Sequence, residues 1–141
     1  LAAPDFGGGA GTFASRRGRL PWPLAGRLAA RYGQVRTSGQ TRWQGALIAA
    51  APGSPVRAVH AGTVVYADAL RGFGQLVIVD HGRGYLSLYG YNAALHRAAG
   101  DAVKAGDVLA EVGAGLADPP GLYFEIRAAG KPVDPALWCR G

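Results

Sequence analysis

Short apolar runs separated by glycine- and proline-rich turns dominate this sequence from residue 42 onward, and this spacing constrains the fold more than any other feature. The 141-residue chain contains 23 Gly and 9 Pro, which favour tight turns and short strands over long helices. The run Gln75–Asp80 is apolar on both faces and predicts a central strand. The predicted strands are 43–50, 56–59, 62–67, 75–80, 85–91, 108–112 and 121–127. The sequence therefore predicts an all-β fold, an antiparallel sandwich or barrel of short strands.

The last of these runs, within residues 121–127, has two chemically different faces, because side chains alternate along a strand. One face is apolar and is expected to enter a core; it carries Leu122, Phe124 and Ile126. The other face carries Tyr123, Glu125 and Arg127. Such a polar and aromatic face suits a binding surface, and it equally fits a half-exposed strand that has no such role.

The length of the chain predicts one domain with its own core. Residues 1–19 are largely low in complexity and rich in Gly and Ala, and we predict that they form a flexible lead or linker. The folded domain is predicted to occupy residues 20–141, beginning at Leu20–Pro23, where two prolines and a tryptophan fix the chain. We expect one short helical turn within residues 24–32. The absence of Met at position 1 suggests a fragment of a longer precursor.

The net charge of +6, with a pI near 10.0, indicates an anionic neighbour such as nucleic acid, an acidic protein, or a bacterial wall or membrane surface. The arginines are scattered, and neither a recognition helix nor a stacking platform is evident, so nucleic acid is not expected as a partner. The single cysteine, Cys139, excludes an internal disulfide and a multi-cysteine zinc site. No apolar run approaches the roughly 20 residues that span a bilayer.

Three stretches of the chain occur in the order and spacing of a known family. They are Gly45–Gly53, residues 72–82 with their continuation through Ser87–Tyr91, and Leu122–Arg127. Over roughly residues 20–139 the chain resembles the lysostaphin-type (LytM) zinc metallopeptidases, which cut peptidoglycan cross-links. The resemblance implies the lysostaphin-type peptidase-like fold, a duplicated hybrid motif.

The metal site of that family is the point at which this chain departs from it. Active members carry a His-x-x-x-Asp pair on the first strand, a His-x-His on the last strand and one more His after the Leu-Tyr-x stretch, and these groups bind zinc and assist the attacking water. The corresponding residues here are Trp43, Leu47, Gly121, Tyr123 and Tyr91. We therefore expect no metal, no cofactor and no catalytic residue. The surviving His60, His81 and His96 do not pair at ligand spacing and are expected to have structural or surface roles.

The replacements suggest a binding groove in place of the zinc site. By alternation, one face of the tyrosine-rich strand carries four residues, Tyr85, Ser87, Tyr89 and Tyr91. If that strand neighbours the last one, tyrosines and an arginine line a groove with aliphatic residues, a composition typical of binding hot spots. The predicted groove residues are Gln44, Leu47, Phe73, Leu76, Tyr89, Tyr91, Tyr123 and Arg127. A buried aromatic cluster without a binding role is the alternative interpretation.

The altered motifs are similar to those of a degenerate branch of the family, the murein hydrolase activators. Members of that branch bind and switch on periplasmic N-acetylmuramoyl-L-alanine amidases when Gram-negative bacteria split the division septum. The resemblance implies the same amidase partner and periplasmic location for this chain, with no catalysis of its own. It also implies peptidoglycan as a candidate ligand, and a preceding coiled coil, missing from this sequence, that docks on a division complex.

Three other interpretations remain open from the sequence. A peptidase with an unconventional site would hold a tightly bound zinc ion. A passive wall-binding module would use the basic surface to bind peptidoglycan without affecting an amidase. A biotinyl or lipoyl carrier is suggested by residues 103–109, but such a carrier needs an exposed lysine at a hairpin tip within its motif, and neither Lys104 nor Lys131 lies in one.

Overall fold

The computed structural model describes residues 4–6, 11–36, 41–115 and 117–141, so that residues 1–3 and 7–10 of the predicted lead lie outside the described residues. The described chain forms ten strands and two short 3-10 helices, Ala14–Arg16 and Pro135–Leu137. The strands are β1 (Leu28–Ala30), β2 (Ala46–Ala49), β3 (Pro55–Arg57), β4 (Gly62–Leu70), β5 (Gly74–Gly82), β6 (Tyr85–Leu95), β7 (Ala102–Val103), β8 (Val108–Val112), β9 (Gly121–Ala128) and β10 (Lys131–Val133). The predicted all-β class is confirmed. Among the described residues, no helix has the length and apolar character needed to cross a membrane.

All ten described strands join one antiparallel sheet in which β9 is an interior strand. The hydrogen-bonded path runs β1-β2-β9-β6-β5-β4-β7, with β10 on β9 and with β8 paired to β6 and β3. The register places Leu47 of β2 opposite Tyr123 of β9, and Gly90 of β6 opposite the same tyrosine from the other side. The tyrosine-rich strand is therefore the neighbour of the last long strand, as the groove prediction requires.

The core lies on one face of β9, as the alternating pattern predicts. Leu122, Phe124 and Ile126 are all fully buried. They belong to one apolar cluster with residues of β5 and β8, among them Val79 and Leu109. Because burying a large apolar side chain stabilises a fold by about 1.5–3 kcal/mol, this face anchors β9 and fixes which side chains point the other way.

The helical turn expected within residues 24–32 is wrong. Residues 28–30 form β1, which pairs with β2 through Leu28 opposite Ile48. Gly26 lies so close to β2 that an added Cβ would meet the Ala49 carbonyl oxygen at 2.2 Å. The edge of β2 supplies hydrogen-bond partners for an extended segment, and this tertiary pairing outweighs a weak local preference for helix.

The segment before residue 20 also differs from the flexible lead that its composition predicts. Phe13 is only 2% exposed. Its ring stacks on His81 with centroids 4.5 Å apart and lies 5.1 Å from the Trp138 ring. Phe13 therefore anchors this segment to the domain, because one buried aromatic ring offsets much of the cost of ordering a short segment. The domain boundary at residue 20 stays a prediction.

Candidate functional site

A groove of about 460 Å³ lies beside β9 on the face opposite the core, and we call it the tyrosine groove. The residues that line it are Arg36, Thr41, Arg42, Gln44, Gly72, Phe73, Tyr91, Tyr123 and Glu125. Four of the eight residues predicted for a binding groove are among them, namely Gln44, Phe73, Tyr91 and Tyr123. A larger cleft of about 680 Å³, near Trp22 and Cys139, contains none of the eight.

Tyr91 reaches the groove through an irregularity in β6. Between two neighbouring paired positions, β6 contains two residues where β5 contains one. β6 therefore carries one extra residue at this point, a β-bulge. The backbone of Tyr91 has a φ of 66°, a left-handed conformation that a tyrosine rarely adopts. Its ring then stacks on Tyr123 with centroids 5.4 Å apart. Without the extra residue, alternation would have placed Tyr91 on the same side as Tyr89.

Tyr89 belongs to the core, so its predicted place in the groove is wrong. It is fully buried, and its ring lies 5.5 Å from that of Phe124. Its hydroxyl accepts a hydrogen bond from the Val59 amide at 3.1 Å and shares another with Ser87 Oγ at 2.8 Å. Burial raises the pKa of the Tyr89 hydroxyl, which favours its neutral form. The prediction failed because the bulge separates Tyr89 from Tyr91, so the two rings lie on opposite faces.

The two aliphatic residues predicted as groove walls are also buried. Leu47 is 4% exposed and packs with Tyr91 and Tyr123 beneath the groove. Leu76 is fully buried and does not line the groove. Neither leucine is among the residues that line the groove. The predicted wall positions are therefore wrong for both residues.

Arg127 is committed to an internal ion pair. Its Nε donates to Glu125 Oε2 at 2.7 Å, and the Tyr123 hydroxyl donates to Glu125 Oε1 at 2.5 Å. Glu125 is fully buried, whereas the Arg127 side chain is 29% exposed. Burial, together with the hydrogen bond to Glu125 and the charge of that carboxylate, raises the pKa of Tyr123. Contrary to the prediction, Arg127 does not line the groove; it holds the carboxylate that fixes the Tyr123 hydroxyl.

The five positions that bind zinc or assist the attacking water in the resembling family carry no metal ligand here. Four of these side chains pack in one cluster, Trp43, Leu47, Tyr91 and Tyr123. At the fifth position, an added Cβ on Gly121 would meet the Ile48 carbonyl oxygen at 2.3 Å. Zinc in proteins is bound by His nitrogen, Cys sulfur or carboxylate oxygen, and none of the five residues supplies one. The residues at these positions do not fit a zinc ion, and among the described residues no three or more His, Cys, Asp or Glu are placed to hold a metal ion together.

Sequence reasoning missed the two arginines of the groove. The Arg36 Cζ lies 3.9 Å from the centre of the Trp43 ring, and Arg42 Nη1 donates to the Gly33 carbonyl at 2.8 Å. A β-bridge pairs Val35 with Arg42 and holds the two segments together. The signal that could have identified them is their position, because they flank a short polar stretch just before the first altered zinc position.

The three histidines lie outside the tyrosine groove. His81 has partners on both ring nitrogens, Ala61 O at 2.8 Å and Ser87 Oγ at 2.7 Å, and desolvation lowers its pKa to about 4. His60 packs against His81 with ring centroids 5.9 Å apart, and desolvation lowers its pKa as well. His96 is exposed and pairs with a carboxylate of β8. These surroundings are those of structural and surface residues.

A family model described as Peptidase family M23 matches residues 41–135, about two thirds of the chain. The chain belongs to peptidase family M23. The matched region contains β2, β6 and β9, the strands that carry most of the altered zinc positions of this M23 domain.

Curated relatives of the M23 domain come from several bacteria. It is 43% identical to Murein hydrolase activator EnvC of Escherichia coli K12, over 91% of the chain and 30% of that protein. It is 44% identical to Lipoprotein NlpD/LppB homolog of Pseudomonas aeruginosa, over 84% of the chain and 39% of that protein. It is 38% identical to Cell division protein DipM of Caulobacter vibrioides, over 88% of the chain and 21% of that protein. The chain thus spans between about a fifth and two fifths of the length of these relatives.

Solved structures with the same fold include peptidases. A putative peptidase M23 from Pseudomonas aeruginosa has a TM-score of 0.71 at 29% identity, over 84% of this chain and 48% of that chain. A zinc containing peptidase from Vibrio cholerae has a TM-score of 0.75 at 23% identity, over 82% of this chain and 38% of that chain. The catalytic domain of lysostaphin from Staphylococcus simulans has a TM-score of 0.63 at 23% identity, over 78% of this chain and 86% of that chain. These likenesses confirm the predicted lysostaphin-type fold.

Proposed function

We propose that this M23 domain is a non-catalytic activator of a periplasmic N-acetylmuramoyl-L-alanine amidase, which it switches on by binding a segment of the enzyme in the tyrosine groove during septum splitting. The observation that carries the proposal is the aromatic and aliphatic cluster at four of the five positions of the family's active site, Trp43, Leu47, Tyr91 and Tyr123. The relative named as a murein hydrolase activator supports the activator role, and the relative named as a cell division protein supports a role during cell division.

The tyrosine groove has the properties of a receptor for a protein segment. Tyr91 and Tyr123 stack to form its floor, and the Phe73 ring lies 5.8 Å from that of Tyr123. Gln44 is exposed at its edge. Rigid aromatic side chains supply large contact areas at low conformational cost and are frequent in binding hot spots. An amphipathic helix that lays its apolar face into a groove is a common occupant of such a surface.

We propose that the occupant is a helix of the amidase that otherwise blocks the enzyme's own zinc site. A groove that accepted a peptide across a metal keeps its walls when the ligands are replaced, and it can then hold a protein element instead. Binding of the helix by the domain would remove it from the amidase site by mass action, since the helix cannot occupy both places at once.

The experiment measures the release of dye from labelled peptidoglycan by an amidase, with and without the domain. The amidase should become active when the domain is added, and the domain alone should release no dye. Phe73→Ala and Gln44→Lys should reduce activation because both residues line the groove. Leu137→Ala is the control, because Leu137 is 58% exposed and lies outside the groove. Full activation by both groove variants would rule out the groove, and dye release by the domain alone would favour a residual peptidase.

The net charge of +6 favours a second candidate function, passive binding to the anionic peptidoglycan. In that case the domain should sediment with isolated peptidoglycan in a salt-dependent manner and leave the amidase rate unchanged. Activation of the amidase in solution, with a soluble peptidoglycan fragment as substrate, would exclude a purely passive role.

The location of the whole protein is part of the same proposal. We propose a periplasmic domain that a coiled coil outside this sequence links to a division complex. The relative named as a lipoprotein supports a place in the cell envelope. Fractionation of cells that carry the tagged full-length protein would test the location. Recovery of the tagged protein in the cytoplasmic fraction would contradict it.

A further inference from the structure

Two guanidinium groups are held at the rim of the tyrosine groove by a short antiparallel ladder. In this ladder, Arg36 N donates to Thr41 O at 2.8 Å. The Arg36 guanidinium lies over the Trp43 ring at 3.9 Å, and Arg42 Nη1 donates to Gly33 O at 2.8 Å. Each contact orients an arginine and leaves further N–H donors available, since a guanidinium has five. The two cations are therefore positioned before any partner arrives.

Within the described part of the chain, the groove offers these two arginines no acid that is not already paired. Among the described residues, Glu125 is the one acid that lines it. Both Glu125 oxygens are occupied, Oε1 by the Tyr123 hydroxyl and Oε2 by Arg127. No ion pair recorded among the described residues includes Arg36 or Arg42. The rim of the groove is thus positively charged, while its floor is aromatic.

We propose that Arg36 and Arg42 bind a carboxylate on the amidase segment that enters the groove, and so determine which segments the groove accepts. The inference rests on the proposed function and specifies the chemistry of the occupant. Guanidinium groups match the planar geometry of a carboxylate and donate charge-assisted hydrogen bonds to it. The segment is then expected to carry an Asp or Glu one helical turn from a large apolar residue. The apolar side chain would rest on Tyr91 and Tyr123 while the carboxylate meets the rim.

A phosphate-bearing polymer would also be attracted by two arginines, but the groove fits it less well. A polyanion is bound along a stripe of cations that follows its backbone. The tyrosine groove has two arginines at its rim and no such stripe, and its floor is formed by Tyr91 and Tyr123, which are 6% and 5% exposed. A protein segment that combines one acid with an apolar neighbour matches both parts of this surface.

The test measures binding of the domain to an amidase from the same organism by isothermal titration calorimetry, at about 50 mM and about 500 mM salt. Arg36→Gln combined with Arg42→Gln keeps a polar, hydrogen-bonding side chain at each position and removes its charge. This variant should bind roughly ten- to a hundredfold more weakly and should show a flatter salt dependence. Arg27→Gln is the matched control, because Arg27 is exposed and lies outside the groove, and it should bind as the parent domain does. Circular dichroism checks that each variant is folded.

The possible results separate this inference from the proposed function. If the double variant binds with parental affinity and salt dependence while Phe73→Ala loses binding, the carboxylate contact is wrong and the groove remains the site. If the parent domain binds no amidase at either salt concentration, both the inference and the proposed function fail. A charge-reversal check follows: Arg36→Glu combined with Arg42→Glu should lose binding, and a lysine in place of the contacting acid of the amidase should restore it. Failure of every such lysine variant to restore binding counts against the contact.

Discussion

Tyr91 stacks on Tyr123 with ring centroids 5.4 Å apart and ring planes inclined by 28°. Tyr123 reaches this position by the regular alternation of β9, whereas Tyr91 reaches it through a backbone φ of 66° in β6. The left-handed conformation costs a non-glycine residue about 1–2 kcal/mol. Two hydrogen bonds hold it, Tyr91 N to Phe73 O at 2.7 Å and Gly113 N to Tyr91 O at 3.0 Å. The floor of the groove is therefore formed before a partner binds, which reduces the entropic cost of binding.

Substitutions at Tyr91 should separate the role of its ring from that of its backbone. Tyr91→Ala and Tyr91→Gly both remove the ring, and each should weaken amidase binding by on the order of 2 kcal/mol. Glycine adopts a positive φ without strain, so Tyr91→Gly should be more stable than Tyr91→Ala by about 1 kcal/mol. Urea unfolding measures the stability and calorimetry the binding. Equal stabilities of the two variants would show that the backbone at Tyr91 is unstrained in solution.

Loss of Arg127 should destabilise the fold, in addition to any effect on binding. Arg127→Ala leaves the buried Glu125 carboxylate without its cation, and breaking a buried pair costs about 3–5 kcal/mol. Because the Arg127 side chain is 29% exposed, water can replace part of the contact, and we expect a smaller loss of about 2 kcal/mol. Adding Glu125→Gln should recover much of this loss, since no buried charge then remains. Denaturation of both single variants and the double variant measures the coupling; a double variant no more stable than Arg127→Ala would contradict the assignment.

Phe13→Ala should lower the free energy of unfolding by about 3–5 kcal/mol, the usual cost of removing a buried phenylalanine side chain. The ring packs on four others, His81, Tyr85, Trp138 and His60, at centroid distances of 4.5, 5.2, 5.1 and 5.8 Å. Deletion of residues 1–10 keeps Phe13 and should have a much smaller effect. Scanning calorimetry compares the two variants. An unchanged melting temperature for Phe13→Ala would restore the idea of a flexible lead.

The regular strands were predictable from the sequence because their signals are local. Turn glycines mark the ends of β5 and β8, and a two-residue period leaves only one apolar face for β9. That period correctly placed Leu122, Phe124 and Ile126 in the core. The altered zinc positions were equally readable, since the spacing of the surrounding motif identifies each of them.

The errors arose where a contact distant in sequence decides the position of a side chain. The bulge that separates Tyr89 from Tyr91 depends on pairing with β5, which no pattern within β6 reveals. Phe13 is buried because His81 and Trp138 surround it, although its own neighbours in sequence are mostly small and polar. Arg36 comes to the groove through its backbone hydrogen bond to Thr41 and the neighbouring bridge between Val35 and Arg42. Such placements follow from packing. For Phe13, the composition of the surrounding segment even predicts the opposite, an exposed position.

The neutral form of His81 is part of a chain of hydrogen bonds that should make stability depend on pH. A carbonyl only accepts, so His81 Nδ1 donates to Ala61 O at 2.8 Å, and its Nε2 accepts from the Ser87 hydroxyl at 2.7 Å. Ser87 Oγ accepts in turn from the Tyr89 hydroxyl, which accepts from the Val59 amide. A protonated His81 would have to donate from Nε2 to Ser87 Oγ, and one of the two hydroxyl protons of the buried Ser87–Tyr89 pair would then have no acceptor.

Stability should therefore fall as the pH falls from 6.5 towards 4. Desolvation lowers the pKa of His81 from 6.5 to about 4 in the folded protein, so over this range the unfolded chain binds a proton that the folded chain does not. The contribution of neutral His81 to the free energy of unfolding is fully present above pH 6.5. Roughly 3 kcal/mol of it is lost once the pH approaches 4. Two neighbouring groups also act on the pKa of His81: His60 lowers it, as burial does, and Asp80 raises it. The pKa of His60 is itself lowered by desolvation and, to a smaller extent, by Arg16.

The measurement is urea unfolding of the parent and two variants at about pH 4, 5.5 and 7. His81→Gln replaces the titrating ring with a side chain that keeps its charge state, so the free energy of unfolding should depend much less on pH in this range. His96→Gln is the matched control, since His96 is exposed and hydrogen-bonded to Glu111, outside the buried chain. It should retain the pH dependence of the parent. If His81→Gln and the parent lose the same stability between pH 7 and 4, the titrating group lies elsewhere, and His60 becomes the first residue to test because its ring packs against His81.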